Sequence, residues 1–426
     1  MYNMNINYGR TLMPTVLVYT TPSRGHLYPI MDTALALARR GHEVHVRTLA
    51  VDVDTVRTAG LHATAVDPAI EARKLDDWRA RSPRASVALG LQTFIDRAPL
   101  EIDDLRSAVT SIRPDVLLVD TNAWGAQAAA ESSGIPWATW HPFPLPFPSK
   151  DAPPFGPGLR PAAGVLGRLR DSLLQPLVIA PLQKFLPALN AVRARAGVSP
   201  FDHIKELFTR PPRLLLMTAE PFEYPRSDWP SNVRLVGPGL WSPPAEAPAW
   251  LADSAKPILL VTCSTEFQDD GALVEAAIAA FGDDSSVQLV CTTAGVDPER
   301  FRAHAPPGVV VERFVPHALL LPHACVVVCH GGMGITQRAL AAGVPPCVVP
   351  WGRDQLEVGR RVLESRCGAL LPRTKLSPAR LREAVAAARG NTEGAARIAA
   401  AFAGAGGGEG AAGLIEALLP ADRAEP

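Results

Sequence analysis

The sequence predicts an α/β protein made of two doubly wound parallel sheets that face each other. Two series of continuous apolar runs, each typical of a strand buried on both faces, alternate with helical patterns. A stretch rich in Pro and Ala, with little periodicity, separates the two series. At 426 residues the chain is long enough for about two to three domains. We therefore expect a disordered leader at 1–13, a first domain at 14–235, a linker at 236–256, a second domain at 257–408, and a final helix with its tail at 409–426.

The composition excludes several classes of partner. Forty-two basic side chains balance 42 acidic ones, so nothing indicates an electrostatic grip on nucleic acid or a membrane surface. No apolar run reaches about 18 residues, and the N-terminus lacks the pattern of a signal peptide. Six cysteines lie in or beside apolar runs without CxxC pairs, which predicts reduced, buried thiols. We expect a cytoplasmic protein with small-molecule partners, no nucleic acid and no membrane span.

The first domain opens with a buried strand at 15–20, followed by a turn that contains His26. A helix follows, with Pro29 in its first turn and Gly41 after its end. The alternation continues with a strand at 44–48, a short helix at 53–59 and a strand at 61–66. Because the opening turn lacks GxGxxG, the dinucleotide-binding fingerprint of a dehydrogenase is not what begins this domain.

Two polar residues stand where strands of the first domain end. His26 follows the first strand, and Asp120 is the last residue of an apolar run at 114–120. Strand ends of one parallel sheet open into the same crevice. Asp120 could therefore orient His26 and stabilise its charged form when the imidazole takes a proton from a hydroxyl. A turn histidine beside a helix-capping aspartate is the alternative.

Two patterns invite a metal-site interpretation, and neither supports one. Asp52-Val-Asp54 matches a metal-binding DxD, but no further carboxylates cluster near it, so we expect a solvated turn. His317, His323 and His330 lack the usual spacing of zinc ligands and are interpreted as loop histidines. We therefore predict no metal site.

Prolines and aromatic residues are concentrated in a loop at 137–161, which cannot form regular structure throughout. Four of its apolar side chains would be costly to leave in water, namely Phe143, Leu145, Phe147 and Phe155. They either cover a core or line an apolar ligand pocket, and the two alternatives are equally open. Residues 165–196 are predicted as helix broken by several prolines, and 213–217 as a strand that returns to the sheet.

The second domain begins with a strand at 257–262, which is followed by Ser264 and Thr265. Their hydroxyls stand at a strand end, where a phosphate could be met, although a plain turn fits equally well. A helix at 271–281, strands at 287–291 and 309–312, and, from 377 onward, helices rich in Ala and Arg are also predicted.

A strand, a glycine turn and a helix follow one another near the end of the second domain. The apolar run 325–328 leads into His330-Gly331-Gly332, and a helical pattern begins at Met333. A helix N-terminus presents unpaired N–H groups and partial positive charge, and glycine lets an anion approach the backbone. The imidazole of His330 can add a side-chain hydrogen bond to a phosphate. The pattern indicates an anion site, and a tight turn with a capping histidine is the alternative.

An acid and an amide, Asp354 and Gln355, follow the next predicted strand at 346–349. Together, the motifs HGGMG, GVP and P-W-x-x-D-Q resemble the sugar-donor signature of family 1 glycosyltransferases of the bacterial macrolide and natural-product type. Enediyne (calicheamicin-type) and aromatic polyketide pathways use similar enzymes. Further matches extend from about Thr15 to Leu419. The resemblance implies a GT-B fold, with the nucleotide sugar mainly on the second domain and the acceptor on the first.

The resemblance also implies roles for single residues. His26, in the pattern R-G-H-x-x-P, would be the general base and Asp120 its partner. The pocket for the acceptor would be built by first-domain loops around Phe143, Leu145, Phe147 and Phe155, which favours a bulky, largely apolar aglycone. The last helix, at 411–419, would cross back onto the first domain. The sugar donor would be held by Ser264, Thr265, the backbone beside Val315 (base), His330, Gly332, Met333 and Gly334 (diphosphate), and Asp354 and Gln355 (sugar hydroxyls).

Two positions depart from the usual signature. Ile335 stands where a small hydroxyl residue commonly assists the phosphate, with Thr336 adjacent to it. Arg338 stands where a glutamate often binds ribose hydroxyls. Glutamate accepts hydrogen bonds from a 2′,3′-diol whereas arginine only donates, which predicts a thymidine diphosphate (TDP) deoxysugar in preference to a uridine (UDP) one. An Arg338 that merely points to solvent is the alternative.

The sequence as a whole predicts an inverting, metal-independent glycosyltransferase of antibiotic biosynthesis and secondary metabolism. It would need no cofactor beyond the nucleotide-sugar co-substrate, and a homodimer is compatible with it. Two rivals are a nucleotide-sugar epimerase on the same fold and a non-catalytic auxiliary protein that binds a nucleotide sugar or a partner enzyme.

Overall fold

A computed structural model describes residues 13–252 and 256–419. Residues 1–12, which make up most of the predicted leader, lie outside the described part, as do 253–255 of the predicted linker and the tail from 420. The described residues form two sheets: counted along the chain, the strands lie in the order 3-2-1-4-5-6-7 in a seven-stranded sheet and 10-9-8-11-12-13 in a six-stranded sheet. All paired strands are parallel. The predicted fold class is confirmed.

The first sheet and its helices occupy residues 15–235. Their bounds are β1 Thr15–Tyr19, α1 Arg24–Arg39, β2 Glu43–Thr48, α2 Val53–Thr58, β3 His62–Ala65, α3 Pro68–Glu71, α4 Pro83–Ile112, β4 Val116–Asp120, α5 Trp124–Ser133, β5 Trp137–His141, α6 Gly164–Gln183, α7 Leu186–Ala196, α8 Glu206–Thr209, β6 Leu214–Leu216 and β7 Val233–Leu235. Short 3₁₀ turns at Ala50–Asp52 and Asp77–Arg79 interrupt the connections.

The second sheet follows a short helix inside the predicted linker. The bounds are α9 Ala249–Ala252, β8 Ile258–Thr262, α10 Ala272–Phe281, β9 Gln288–Thr292, α11 Glu299–Arg302, β10 Val310–Glu312, α12 His317–Leu320, β11 Ala324–Cys329, α13 Met333–Ala341, β12 Pro346–Val348, α14 Gln355–Glu364, β13 Ala369–Leu370, α15 Pro378–Arg389, α16 Thr392–Ala403 and α17 Gly407–Glu416. The 3₁₀ turns are Leu321–His323 and Arg373–Lys375.

The central strands of the first sheet are buried on both faces. In β4 every residue is buried, and alternate side chains enter two different cores: Leu117 and Val119 on one face, Val116 and Leu118 on the other. This explains why the strand reads as a continuous apolar run. Because β1 pairs with β4 in parallel, from Val16 opposite Val116 onward, the carboxyl ends of both strands meet at one edge of the sheet.

Prolines interrupt the helices less than the sequence predicts. Helix α1 begins at Arg24, before His26, so Pro29 lies inside the helix and not in its first turn. Likewise, α6 runs through Pro176 and Pro181, and the break before α7 comes only at Lys184 and Phe185. Proline removes one intrahelical hydrogen bond and can kink a helix, but the flanking turns are kept in these helices.

The last helix, α17, packs on α1 of the first domain. Ala411, Ala412 and Ile415 belong to the core under the first sheet. Arg40 donates hydrogen bonds to Glu409 and to Glu416 at 2.6–3.1 Å. The last described helix therefore packs on the first domain, as the resemblance implied.

Three further expectations concern the cysteines, the Asp52-Val-Asp54 turn and membrane spans. All six cysteines are free, and five of them are buried while Cys325 is partly buried. Asp52 is not in a solvated turn, because its carboxylate is fully buried and accepts two hydrogen bonds from Arg24, whereas Asp54 is exposed. By length and composition alone, one helical stretch in the described part, Thr392–Glu416, could cross a membrane. That stretch comprises α16 and α17.

Candidate functional site

The sheet edge brings His26 and Asp120 together. Asp120 ends β4, and His26 lies in the first turn of α1, which follows β1, the neighbour of β4. The Nδ1 atom of His26 lies 2.9 and 3.0 Å from the two carboxylate oxygens of Asp120. Asp120 is fully buried, and the side chain of His26 keeps 14% of its surface exposed. The imidazole thus faces an opening while its partner lies in the protein.

The surroundings of Asp120 fix the tautomer of His26. Two backbone amides, from Thr21 at 3.2 Å and Asn122 at 2.8 Å, donate to the Asp120 carboxylate. A carboxylate held in this way only accepts, so Nδ1 of His26 carries the proton and Nε2 keeps a free lone pair. The side-chain amide of Asn122 lies 3.4 Å from Nε2, a weak contact that an incoming hydroxyl could replace.

Behind this pair lies a buried carboxyl that sequence reasoning missed. Glu101, on α4, accepts a hydrogen bond from the amide of Gly125 at 2.9 Å. Burial raises the pKa of Glu101 to about 8, despite the opposing effects of that amide and of Arg97. Only the three-dimensional packing of α4 against α5 reveals it, because a glutamate within a helical pattern is ordinarily a surface residue.

Of the four apolar residues predicted to cover a core or to line the acceptor pocket, some fit the first alternative and some the second. The ring of Phe143 lies 5.8 Å from that of His26, centroid to centroid, and 3.9 Å from the buried His141. Phe143 can therefore form a wall beside the imidazole. Leu145 is 1% exposed in the core of the first domain, so it supports the fold and lines no pocket.

The remaining two aromatic residues of the loop are partly buried. Phe147 packs against the first-domain core. Phe155 lies in the segment of the loop that contacts α14 of the second domain, where the amides of Gly156 and Gly158 donate to Glu357 at 2.8 and 2.9 Å. The proline-rich loop thus bridges the two domains, a function that its composition does not reveal.

The glycine turn of the second domain places His330 at the start of α13. Gly332 is the N-cap of this helix, and Met333 and Gly334 are its first two residues. A Cβ added to Gly332 would overlap Nε2 of His330, so this ring nitrogen lies directly beside the helix N-terminus. Burial, with the positive charge of Arg353 nearby, lowers the pKa of His330 to about 3. The ring is therefore neutral and can donate one N–H to a phosphate.

The loop after β8 differs in detail from the expectation. Ser264 is buried and its amide donates to Asp270 at 2.7 Å, whereas Thr265 is exposed. Asp270 lies 4.0 Å from Nδ1 of His330, and burial raises the pKa of its carboxyl. Ser264 and Asp270 therefore form the floor beneath His330, and the sequence offered no signal for the aspartate.

Thr336 and Val315 are also buried. The hydroxyl of Thr336 lies 3.8 Å from the sulfur of Cys329 and faces the core. Val315 is 4% exposed, and its neighbour Phe314 is more than half exposed.

Asp354 and Gln355 occupy the expected strand end but differ in environment. Asp354, the N-cap of α14, interacts electrostatically with Arg353 and with His26 across the cleft, although burial raises its pKa on balance. Gln355 is 2% exposed: its carbonyl accepts the amides of Trp351 and Gly352, and its amide donates to Gln268 at 2.8 Å. In this arrangement the side chain of Gln355 holds the turn, and Asp354 stands at the N-cap of α14.

Arg338 is partly buried and hydrogen-bonded to the segment that links the two domains. Its guanidinium donates to the carbonyl of Trp241 at 2.6 Å and to the hydroxyl of Ser242 at 2.8 Å. Asp32 of α1 accepts the amides of Leu240 and Trp241 from the other side. The predicted solvent-facing alternative is wrong, because this arginine anchors the linker between the two domains.

Comparisons with known proteins show which family and which fold the chain shares. A family model described as the C-terminal domain of proteins like erythromycin biosynthesis protein CIII matches residues 288–407. 4′-Demethylrebeccamycin synthase from Lentzea aerocolonigenes is 33% identical over 386 residues, covering 87% of this chain and 91% of that protein.

Two solved structures share the architecture. The calicheamicin glycosyltransferase CalG4 superposes with a TM-score of 0.73 and 22% identity, over 95% of this chain and 98% of CalG4. The glycosyltransferase VinC, in complex with dTDP, superposes with a TM-score of 0.65 and 22% identity, over 95% of this chain and 99% of VinC. At this level of identity the superpositions establish the fold alone.

Proposed function

We propose that this chain moves a sugar from a nucleoside diphosphate to a hydroxyl of a bulky, largely apolar aglycone. The premise is its family: the chain belongs to the GT-B glycosyltransferases of antibiotic and other natural-product pathways. The sugar's anomeric configuration would be inverted. One observation carries the proposal: Nδ1 of His26 is held 2.9 Å from the buried carboxylate of Asp120, while the side chain keeps 14% of its surface exposed. A histidine oriented in this way can serve as a base at the edge of the first sheet.

His26 would activate the acceptor hydroxyl. Its Nε2 atom takes the proton of the acceptor hydroxyl while that oxygen forms a bond to the anomeric carbon. Asp120 stabilises the imidazolium that results, since its carboxylate remains within 3.0 Å of Nδ1. Phe143 provides an apolar wall beside the base. The exposed 14% of the His26 side chain is the surface that an acceptor would contact.

His330 and the N-terminus of α13 would stabilise the leaving diphosphate. As the bond between the anomeric carbon and the phosphate oxygen breaks, negative charge grows on the diphosphate. Neutral His330 and the first amides of α13 would donate hydrogen bonds to it, together with the helix dipole. Such preorganised donors typically contribute several kcal/mol to transition-state stabilisation. The proposed mechanism needs no metal ion.

For the sugar donor we propose a TDP deoxysugar over a UDP sugar. Position 338 carries no carboxylate that could accept the hydroxyls of a ribose diol, and the guanidinium there is engaged with the linker. Turnover with matched thymidine and uridine donors tests this preference, and a clear preference for uridine would contradict it. We further propose that the enzyme acts in the cytoplasm on small-molecule partners and requires no cofactor beyond the co-substrate.

A product assay tests the proposed function. The purified protein is incubated with a panel of thymidine and uridine diphosphate sugars and a panel of planar, apolar polyphenolic or polyketide acceptors. We expect a glycosylated acceptor by mass spectrometry, with the anomeric configuration of the sugar inverted by NMR. Tight binding of a donor with no product from any acceptor would favour the auxiliary-protein alternative. Conversion of the nucleotide sugar to its epimer without an acceptor would favour the epimerase.

A further inference from the structure

Two residues of the first domain contact both loops that border the proposed donor site. Nε of Arg353 donates to Oδ2 of Asp77 at 2.9 Å, and its Nη2 donates to Oδ1 at 2.7 Å. The pair joins residues 276 positions apart in a two-pronged geometry, the strongest form of an arginine–carboxylate contact. The exposed fractions of the side chains are 21% for Arg353 and 7% for Asp77.

The residue after Asp77 makes the second contact. The ring of Trp78 lies edge-on to that of Phe267, with centroids 4.9 Å apart. Phe267 belongs to the loop after β8 that also carries Ser264, and Arg353 belongs to the turn that precedes Asp354. A single 3₁₀ turn, Asp77–Arg79, therefore fastens both loops to the first domain. We call this set the clasp: Asp77, Trp78, Phe267 and Arg353.

The backbone and charges at Arg353 indicate more than a chance contact. Arg353 has a φ of 53°, in the left-handed region that residues other than glycine rarely adopt. This conformation turns the side chain from the start of α14 toward the first domain. The positive charge of Arg353 also acts on His330 and on Asp354. Arg353 directly precedes Asp354, the N-cap of α14, so its ion pair with Asp77 also ties the start of α14 to the first domain.

We propose that Arg353 is a positioning residue of the transfer reaction, whose ion pair with Asp77 holds the two domains closed over the sugar and holds Asp354 opposite His26. The proposal rests on the proposed function. Closure matters because water competes with the acceptor: a water oxygen that bonds to the anomeric carbon as the phosphate bond breaks yields free sugar and the nucleoside diphosphate. The clasp would therefore keep the donor from hydrolysis until an acceptor is bound.

The ratio of hydrolysis to transfer tests this inference, with free sugar and glycosylated product measured in the same reaction. We expect Asp77→Asn and Arg353→Gln each to raise the ratio about three- to tenfold, in the range of coupling between paired side chains. The double variant should raise it no further than either single variant, because both changes remove one contact. Asp103→Asn is the matched control, since Asp103 pairs with Arg195 at 2.7 Å on the exposed surface of the first domain.

The outcomes separate this inference from the proposed function. If the wild type forms no glycosylated product, the proposed function fails. If the wild type transfers sugar and the ratio in both single variants stays within about twofold of that in Asp103→Asn, the clasp is only structural and the inference is overturned. Additive effects in the double variant would overturn it as well, since independent contributions exclude a shared contact. Thermal unfolding of each variant confirms that the compared proteins are folded.

Discussion

A carboxylate orients a histidine reliably when its own oxygens are fixed, and Asp120 meets this condition. The amides of Thr21 and Asn122 hold it from two strand-end turns, so its position follows from the backbone of the sheet edge. The same arrangement leaves Nε2 of His26 as the acceptor that faces the cleft. Chemistry at this histidine is therefore set by residues that touch no substrate.

The buried carboxyl of Glu101 predicts a specific pH dependence of the protein's stability. Burial raises its pKa to about 8 from an ordinary value of 4.5. Between these two values the folded protein holds a proton on Glu101 that the unfolded chain releases, so the contribution of Glu101 to stability falls as pH rises through this range. We expect Glu101→Gln, which cannot ionise, to lose less stability than the wild type between pH 5 and pH 8.

Urea unfolding at several pH values measures this difference. Other groups facing Glu101, namely Arg97, Asp120 and Tyr19, remain in both proteins, so the difference between wild type and variant isolates the glutamate. The exposed Glu393 provides the control, because Glu393→Gln should leave the pH dependence of the wild type unchanged. An identical pH dependence in Glu101→Gln and wild type would show that Glu101 is ionised in the folded protein.

The sequence predicted that His26 and Asp120 lie together at the sheet edge, but not where every other candidate side chain points. His26 and Asp120 could be matched because strand ends of a parallel sheet converge. For Gln355 and Thr336 the sequence gives the position of the side chain along its element but not the direction in which it points. Leu145 was ambiguous for the same reason: an apolar residue in a loop fits a core and a pocket equally well.

At the scale of elements, the turn between β11 and α13 is sensitive to a single added methyl group. Any side chain at Gly332 would displace the ring of His330. We expect Gly332→Ala to weaken binding of the nucleotide sugar about ten- to a hundredfold, since one charge-assisted hydrogen bond is worth about 1.5–3 kcal/mol. Gly390, which ends α15 and has only ordinary contacts around an added Cβ, is the control.

Isothermal titration with TDP measures the effect without requiring turnover. Gly390→Ala should bind TDP as the wild type does. Equal affinity in Gly332→Ala would mean that His330 does not contact the diphosphate, and the proposed location of the leaving group would then be wrong.

Strands were predicted better than helices in this chain. The central strands of both sheets are largely buried on both faces, so their apolar runs are unbroken and their bounds fall within one or two residues of the prediction. The short strands β7 and β13 were not predicted. Helices were misjudged where a proline was expected to begin or to break them, because Pro29, Pro176 and Pro181 all lie within helices. No prediction was made for α4, which has 30 residues and runs through Pro99. Packing in the core can offset the lost hydrogen bond at the buried Pro29, whereas no residue of α6 is buried.

At the scale of the whole molecule, the chain returns to its first domain through α17. Ile415 is fully buried beneath the first sheet although it lies near the end of the described chain. We expect Ile415→Ala to lower the free energy of unfolding by about 2–5 kcal/mol, the usual cost of such a cavity. Glu416→Gln, which weakens only partly exposed ion pairs to Arg40 and His42, should cost no more than about 1 kcal/mol.

Urea unfolding of the two variants compares these costs. If Ile415→Ala were no less stable than Glu416→Gln, α17 would contribute little to the core of the first domain. Contacts of this kind could not be predicted from local patterns, because they join residues far apart in the sequence. The same holds for Arg353 with Asp77 and for Arg338 with the linker, which depend on how the two domains are placed.

The assignment of His26 as the general base is tested most directly by nucleoside diphosphate release. This release is compared between the wild type and His26→Ala, with and without an acceptor. Binding of TDP, measured first, should be equal in the two proteins because His26 lies on the acceptor side of the cleft. We then expect release by the wild type to depend on the acceptor and to fall about 10²- to 10⁴-fold in His26→Ala, the usual contribution of a general base. Acceptor-dependent release that the substitution leaves unchanged would contradict the assignment of His26 as the base.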